Sequence, residues 1–396
     1  MIEFKQVSKG YGAQDVLRDA GFSITEGQRV GIVGPNGAGK TTVFSLIAGE
    51  ISPDKGRVEI RKNLRIGYLR QELNPHGVTA SLLEYVESGA GDIGAMHAEM
   101  DTLVAALQDP NRADRAALLD RLGELQAAFE AGGGYDLAAR SKIALHGLGF
   151  RDRDFPRPFR DFSGGWQMRA ELARLLVSGP ELLLLDEPSN YLDIPAVEWL
   201  EAYLESFPGT LALISHDRYL LNSLTDVTLE IANARATRYS GNYDSYTRES
   251  KLRYEQSVAG LKNQDRKRQQ LERFVERFRA KNTWASQVQS KIKMLGRMEK
   301  IEIPPPVLSR GKIRLRPPAR SGQEVVRLED TGYTYDGTEY VLRGVNLNVQ
   351  RGEKIALVGQ NGMGKTTLLR LLAGRLAPAE GKRAIGHNVV VGYQSQ

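Results

Sequence analysis

The stretch GPNGAGKT, residues 34–41, decides the fold, and the chain carries a second loop of the same pattern, GQNGMGKT, at residues 359–366. Both loops fit the pattern G-x-x-x-x-G-K-[ST] in full. The apolar run RVGIVG leads into the first loop and the helix-like stretch TTVFSLIAG follows its lysine, and the second copy has KIALVG and TTLLRLLAG in these places. Because strand, glycine-rich turn and helix is the context in which this pattern binds phosphate, the sequence predicts two phosphate-binding loops on α/β domains.

The residue types in these loops suit nucleotide chemistry. Glycines let backbone N–H groups wrap the phosphates, and the N-terminus of the following helix adds partial positive charge. Lys40 and Lys365 are predicted to reach the β- and γ-phosphates, while Thr41 and Thr366 hold Mg²⁺ through their hydroxyl groups. The alternative is a glycine-rich turn that only packs, which the double occurrence of the complete pattern disfavours.

The two loops belong to a longer internal repeat. Residues 27–71 align with residues 352–396 without a gap, and 19 of the 45 positions are identical, including Gln71 and Gln396. The period is far too long for a solenoid. The repeat therefore predicts two large domains of the same kind, the second of which is only partly present.

Composition sets the class of protein. The 396 residues are 41% hydrophobic and 26% charged, which is ordinary for a globular protein with two or three domains. No run approaches the roughly 20 apolar residues of a membrane-spanning helix, the first residues do not resemble a secretion signal, and cysteine is absent. We expect a cytoplasmic protein without a membrane segment.

A second constellation lies in PELLLLDEPSNYLD, residues 180–193. Four leucines followed by two acids predict a strand buried on both faces that delivers Asp186 and Glu187 to the carboxyl edge of a parallel sheet. Asp186 is predicted to hold Mg²⁺, and Glu187 to polarise the attacking water for hydrolysis. Two adjacent acids that are merely solvated are the alternative for this segment alone.

Between these sites, Ser163, Gly164 and Gly165 precede an amphipathic helix, which predicts another anion-binding helix N-terminus with a serine suited to cap it. Phosphate loop, SGGWQ, LLLLDEPSNYLD and LISHDRYLL together resemble the ATP-binding-cassette (ABC) family. The resemblance implies two cassettes packed head to tail, with each ATP between the phosphate loop of one and the S-G-G segment of the other. It also implies a γ-phosphate contact for His216 and an adenine-stacking ring for Tyr11, with Tyr335 in the same place in the second copy.

The full set of site residues follows from the motifs and this resemblance. The predicted catalytic residues are Gln71, Glu187 and His216, and the predicted Mg²⁺ ligands are Thr41, Gln71, Asp186, Thr366 and Gln396. The predicted ATP-contacting residues are Tyr11, Gly34, Pro35, Asn36, Gly37, Ala38, Gly39, Lys40, Thr41, Thr42, Ser163, Gly164, Gly165, Tyr335, Gly359, Gln360, Asn361, Gly362, Met363, Gly364, Lys365, Thr366 and Thr367.

Residues 248–320 hold 20 lysines and arginines against 7 acids, a local balance of +13. Apolar residues near helical spacing and the absence of proline up to residue 299 predict long helices folded back near residues 280–285, ended by the three prolines at 304–306. The segment QQLERFVERFRAKNTWASQVQSKIKMLGRMEK resembles the interdomain linker of the ABC-F subfamily. That subfamily also accepts a tryptophan such as Trp166, where the wider family usually has glutamine. The resemblance implies a ribosome-bound ATPase whose linker contacts rRNA and P-site tRNA; a solvated coiled coil is the alternative. Trp284 is predicted either to stack on RNA or to anchor the bend.

The predicted organisation is an α/β cassette at 1–247 with a helical insert at about 75–178, a basic helical-hairpin linker at 248–320, and the N-terminal part of a second cassette at 321–396. Because the second copy lacks its own S-G-G helix and Asp-Glu pair, we expect weak ATPase activity from this chain alone. Cassettes are expected to pair within a longer chain, or between copies of this one. An ABC transporter subunit and a DNA-directed ABC ATPase are the other functions considered. The transporter predicts a short connection between cassettes instead of a long basic segment.

Overall fold

The computed structural model describes residues 1–12, 14–71, 78–108, 115–131, 133–278, 285–297, 320–359 and 361–394. The chain divides into two compact units, Met1–Tyr191 with Glu198–Ser309, and Leu192–Val197 with Arg310–Gln396. Residues 280–284 of the predicted bend at 280–285, including Trp284, lie outside the described residues, and so do the three prolines, Gln360 and Gln396.

Nine strands lie in the described residues that precede the basic segment. They are β1 (Ile2–Tyr11), β2 (Gln14–Ile24), β3 (Arg29–Val33), β4 (Lys55–Ile60), β5 (Ile66–Leu69), β6 (Leu182–Asp186), β7 (Thr210–Ile214), β8 (Val227–Ala232) and β9 (Arg235–Ser240). Six form the main sheet in the order β5-β6-β7-β3-β8-β9, parallel except for the antiparallel edge strand β9. The other three form an antiparallel sheet in the order β2-β1-β4.

Ten helices lie in the described part of residues 1–297. They are α1 (Lys40–Ile47), α2 (Leu82–Glu87), α3 (Gly91–Ala106), α4 (Arg115–Ala131), α5 (Leu137–Gly147), α6 (Gly164–Val177), α7 (Ile194–Glu205), α8 (Arg218–Leu224), α9 (Tyr243–Phe278) and α10 (Ala285–Gly296). Among the described residues, no helix combines the length and the apolar character needed to cross a bilayer.

The order of the main sheet follows from the burial of its strands. All five residues of β6 and of β7 are buried, as expected for leucine-rich strands covered on both faces. Helix α1 packs Val43, Phe44 and Ile47 into a core shared with both sheets. Since β3, β6 and β7 run parallel, the residues that follow them meet at one edge of the sheet, where α/β folds bind ligands.

Helices α2 to α6 form the helical subdomain that the sequence predicts as an insert. Ser81 caps α2 in a capping box with Glu84, in which each side chain accepts a hydrogen bond from the other residue's backbone. The predicted pair of helices near residues 97–129 corresponds to α3 and α4, and the predicted break at Asp109-Pro110 lies outside the described residues. A mixed sheet with a helical subdomain agrees with the predicted α/β class.

The described part of the basic segment forms two packed helices. Helix α9 begins at Tyr243, before the predicted linker boundary, and packs on α10 with Leu271 and Val288 buried. At the root of α9, the carboxylate of Glu230 on β8 accepts hydrogen bonds from Tyr239 (3.0 Å) and Tyr246 (2.8 Å). Both tyrosines are buried, and desolvation raises their pKa values. The helix pair is therefore anchored to the edge of the main sheet.

The second unit repeats the antiparallel sheet and the loop helix. Strands β10 (Glu324–Thr334), β11 (Tyr340–Gln350) and β12 (Glu380–Ile385) pair in the order β11-β10-β12, and α11 (Lys365–Ala373) follows the second loop. The expected strand before that loop is wrong for the described residues, because residues 353–359 are not in a sheet and Val358 is 74% exposed. In the first copy the matching strand β3 lies between β7 and β8, which have no counterparts in residues 320–394.

The turn between β8 and β9 allows a test of local strain. Asn233 and Ala234 both have positive φ, 51° and 59°, as a two-residue type I′ hairpin requires, although alanine disfavours this conformation. Ala234→Gly should raise the free energy of unfolding by about 0.5–1 kcal/mol, measured by urea denaturation, since relief of strain exceeds the added chain entropy.

Ala236, the second residue of β9 and paired with Ile231 of β8, is the matched control for this substitution. Ala236→Gly should lower the free energy of unfolding, because glycine weakens a strand interior by roughly 0.5–1 kcal/mol. A destabilised Ala234→Gly protein would contradict the strain that the turn geometry implies.

Candidate nucleotide-binding site

A cavity of 590 Å³ lies where β3, β6 and β7 end. It is lined by Tyr11, Gln14, Val16, Asn36, Gly37, Gly39, Lys40, Thr41, Thr42, Gln71, Asp186, Glu187, Asn190, Tyr191, Ile214 and His216. The cavity thus brings together residues that the sequence assigns to the first phosphate loop, to the acidic strand end and to the histidine after β7.

The first phosphate loop turns sharply out of β3. Gly34 has φ 152°, and a Cβ at this position would collide with the carbonyl oxygen of Ile231 on the neighbouring strand β8. The Lys40 ammonium group folds back over the loop and donates to the carbonyls of Gly34 (3.0 Å) and Pro35 (3.1 Å). Burial lowers the pKa of Lys40, an effect that the nearby carboxylates of Glu187 and Asp186 oppose.

Asp186 connects three segments of the site. Its carboxylate accepts a hydrogen bond from the Thr41 hydroxyl at 2.7 Å and another from the Gln71 side-chain amide at 3.1 Å. The described residues contain no group of three or more His, Asp or Glu side chains arranged to hold a metal ion by themselves. One carboxylate with hydroxyl and amide oxygens nearby fits Mg²⁺, which usually takes few protein ligands and completes its shell with phosphate oxygens and water.

Glu187 follows Asp186 in a strained backbone conformation, with φ 52°. Its backbone N–H donates to the Ile214 carbonyl, and its Oε2 accepts from the His216 backbone N–H at 3.1 Å. Its Oε1 is buried without a hydrogen-bond partner, and the His216 Nε2 lies 3.5 Å away. Desolvation raises the pKa of Glu187, and the unpaired oxygen suits a group placed to accept a proton from water.

The predicted base-stacking residue lies at the rim of the cavity. Tyr11 is 53% exposed, at the tip of the β1–β2 hairpin, with the Lys9 ammonium group 5.9 Å from its ring centroid. Gln14 and Val16 line the same end of the cavity, although sequence reasoning did not select them. Hairpin register could have found both, because Tyr11 pairs with Gln14 across the turn.

Ser163 is the N-cap residue of α6, but its hydroxyl makes no capping hydrogen bond, so the prediction of a serine cap is wrong. The Ser163 side chain therefore does not occupy the first backbone N–H groups of α6, and these groups suit an anion. None of Ser163, Gly164 and Gly165 lines the cavity described above.

The second phosphate loop has a similar local geometry. The Lys365 ammonium group donates to the Gly359 carbonyl (2.7 Å) and to the Asn361 side-chain oxygen (3.3 Å). Tyr335, the counterpart of Tyr11, shares a hydrogen bond of 3.1 Å with the Thr367 hydroxyl. Gly362, Met363 and Gly364 complete the described part of the loop, and Thr366 lies in the first turn of α11.

Comparison with known proteins supports the reading of these motifs. A family model described as ABC transporter matches residues 17–190 and 342–394, and another of the same description matches residues 229–315. The chain is 38% identical to "Probable ATP-binding protein YheS" of Escherichia coli over its whole length and spans 60% of that relative. It is 32% identical to human "ATP-binding cassette sub-family F member 3", again over its whole length, and spans 54% of it.

The chain belongs to the ABC-F subfamily. A solved ATP-binding subunit of an ABC transporter aligns with 63% of this chain and 92% of its own, at 21% identity and a TM-score of 0.45. The family model and the relatives confirm the predicted ABC cassette and the predicted ABC-F membership. The chain spans less than two thirds of the two ABC-F relatives named above.

The raised pKa of Glu187 makes a stability prediction for this ABC-F site. A carboxyl whose folded pKa is raised stabilises the fold when protonated, so stability falls as pH rises through that folded pKa. Glu187→Gln removes the buried charge and should raise the melting temperature at neutral pH. The gain should vanish below about pH 4, where glutamates are protonated in both states.

Glu171 provides the matched control, since it is equally buried but paired. Both of its oxygens accept from the Arg174 guanidinium at 2.6 Å, and the Tyr85 hydroxyl donates to it as well. Glu171→Gln should therefore lower the melting temperature at neutral pH, because it leaves the partly buried Arg174 guanidinium without its counter-charge. Equal effects of the two substitutions would contradict the environment described for Glu187.

Proposed function

We propose that this ABC-F protein binds and hydrolyses ATP with Mg²⁺ in the cytoplasm and uses that cycle to set its basic helix pair on the ribosome. The observation that carries the ATPase part is the convergence of Lys40, Thr41, Asp186 and Glu187 on one cavity. The ribosomal part rests on the helix pair α9–α10 and on the ABC-F membership.

The proposed chemistry assigns one role to each side chain. Lys40 exchanges its bonds to the loop carbonyls for bonds to the β- and γ-phosphates, and the loop N–H groups bind the same oxygens. Glu187 accepts a proton from water as the water oxygen attacks the γ-phosphorus and the bond to the β–γ bridging oxygen breaks. His216, beside Glu187, donates to the γ-phosphate, and Tyr11 stacks on the adenine.

Mg²⁺, when bound, neutralises charge on the phosphate oxygens. Thr41, Asp186 and Gln71 are the residues that would hold it, and in the second loop Thr366 and Gln396 have the matching positions in the sequence. Thr41 donates to Oδ2 of Asp186 and Gln71 donates to Oδ1, so a metal ion bound to this carboxylate would compete with these two hydrogen bonds.

The S-G-G segment is proposed to complete the ATP site of an opposing cassette. Gly164 and Gly165 begin α6, and the backbone N–H groups there suit the γ-phosphate of a nucleotide bound elsewhere. Residues 321–396 are proposed as the N-terminal part of a second cassette, whose loop supplies Lys365 and Thr366. In this arrangement the cassettes pair within a longer chain, or between two copies of this chain.

The basic helix pair supports RNA as the partner. Residues 248–320 carry the local charge of +13, whereas the whole chain carries +6, so the rest of the molecule is acidic on balance. Lys262, Arg266 and Lys267 are exposed along one stretch of α9. A basic projection gains affinity from counterion release and can contact folded RNA through its backbone, without a base code. We propose rRNA and P-site tRNA as the contacted surfaces.

ATP hydrolysis is tested by two variants. Lys40→Ala should weaken ATP binding, since it removes the cation nearest the phosphates, as measured by calorimetry with Mg²⁺ present. Glu187→Gln should leave binding intact and lower kcat about 10²- to 10⁴-fold, because proton transfer to the carboxylate is lost. A Glu187→Gln protein that hydrolyses ATP at the normal rate would remove Glu187 from the proposed chemistry.

Ribosome binding is tested by co-sedimentation of the Glu187→Gln protein with ATP, against ribosomes and against membranes. We expect the protein in the ribosomal fraction, with affinity that falls as salt rises. The salt slope is the change in the logarithm of the binding constant with the logarithm of the salt concentration, about 0.7–0.9 for each phosphate contact. Replacing Arg266 and Lys267 by glutamine removes two such contacts and should lower the magnitude of this slope by about 1.5.

Lys55 and Lys62 provide the control pair, because both are exposed lysines of the first cassette, away from α9 and α10. Their replacement by glutamine should leave the salt slope unchanged. Sedimentation with membranes instead of ribosomes would favour a transporter subunit and overturn the ribosomal proposal, while the ATPase proposal would stand or fall by the kinetic test.

A further inference from the structure

Arg169, on the first turns of α6, is the largest fully buried side chain of the chain's described residues. Its Nε donates to the Tyr191 carbonyl and its Nη1 to the Leu148 carbonyl, each at 2.8 Å. Its guanidinium group lies 4.5 Å from the ring of Trp166, three residues earlier on the same face of the helix. An arginine held this firmly fixes the backbone that it contacts.

The fold makes room for this guanidinium group at Gly149. That residue has φ 94°, and a Cβ there would lie 2.9 Å from the Nη1 of Arg169. The end of α5, the start of α6 and the turn after Glu187 therefore meet around one cation. A buried cation is expensive to desolvate, which favours the geometry that keeps both of these carbonyl hydrogen bonds.

Tyr191 links that cation to the nucleotide cavity. It ends the turn Pro188–Tyr191, in which the Asn190 N–H donates to the Glu187 carbonyl. The Tyr191 ring lines the cavity and lies 3.7 Å from the position of a Cβ on Gly165. Its hydroxyl donates to the Gln71 carbonyl at 3.2 Å. One side chain thus lines the cavity, donates to the glutamine segment and lies beside the S-G-G segment of the same cassette.

We propose that Arg169 and Tyr191 are positioning residues that connect Gln71 and Glu187 to the S-G-G segment of the same cassette. When the γ-phosphate of ATP displaces Gln71, the Tyr191 hydroxyl that donates to the Gln71 carbonyl moves with it. The Tyr191 carbonyl accepts from Arg169, so its movement shifts the Arg169 guanidinium group relative to the Trp166 ring. Trp166 directly follows the Ser163–Gly165 segment. The S-G-G segment of a cassette thereby responds to the nucleotide in that cassette's own cavity. This inference rests on the proposed ATPase function.

Trp166 provides the readout, because it is half-buried beside Arg169 and does not line the cavity. Tryptophan emission of the full chain is measured with Mg²⁺ and either a non-hydrolysable ATP analogue or ADP, with binding of both followed by calorimetry. We expect an emission shift with the ATP analogue that ADP does not produce. Trp166→Phe should lose this shift, which assigns it to Trp166 and not to Trp199 or Trp284.

Two variants test the connection. Tyr191→Phe keeps the ring but removes the hydroxyl that reaches Gln71, and Arg169→Lys keeps the charge but not both carbonyl bonds. Each variant should still bind the ATP analogue. In each, the tryptophan emission with the analogue should equal the emission with ADP. If Arg169→Lys does not fold, as a thermal melt would show, Tyr191→Phe decides alone.

Arg174→Lys is the matched control, since Arg174 lies on the same helix but pairs with Glu171 and lies over the Tyr85 ring. Arg174→Lys should keep the full difference in tryptophan emission between the ATP analogue and ADP. The inference is overturned if the emission difference persists in Tyr191→Phe. It is also overturned if a wild-type chain binds both nucleotides but shows no emission difference. In either case the proposed function still stands. A wild-type chain that binds neither nucleotide overturns the proposed function, and the inference with it.

Discussion

The hydrogen bonds of Thr41 and Gln71 to the Asp186 carboxylate hold the candidate site together. They join the phosphate loop, the glutamine after β5 and the end of β6, three segments that are far apart in the chain. Asp186 is 2% exposed, and a buried carboxylate must be satisfied by donors or a metal to be tolerated. The leucines of β6, buried in the middle of the sheet, deliver it to this position.

Strain is concentrated next to that carboxylate. Glu187 combines a left-handed backbone, a buried oxygen without a hydrogen bond and a raised pKa. Each of these is unfavourable for folding, and together they are typical of residues held for chemistry by the structure around them. The flanking strands β6 and β7 supply that support, since every residue in them is buried.

Sequence patterns were informative where local chemistry decides structure. The glycine-rich loop and the leucine-acid strand predicted Lys40, Thr41 and Asp186, because the pattern itself encodes a turn and a buried strand. Contacts that depend on tertiary packing left no such signal. Arg169 reads as an ordinary arginine on an amphipathic helix, and Tyr191 as one polar position in a turn. The strand expected before the second loop failed for the same reason, since residues 353–359 have no neighbouring strands within the described second unit.

The carboxylate of Glu230 has a mechanical consequence. It sits on β8 opposite Val33, the last residue before the phosphate loop, and both phenol groups at the base of α9 converge on it. A helix of 36 residues is about 54 Å long. A rotation of about 5° at its base would displace its far end by about 5 Å, from that length. Because Val33 directly precedes the phosphate loop, a small shift of that loop at Glu230 would be amplified along the length of α9.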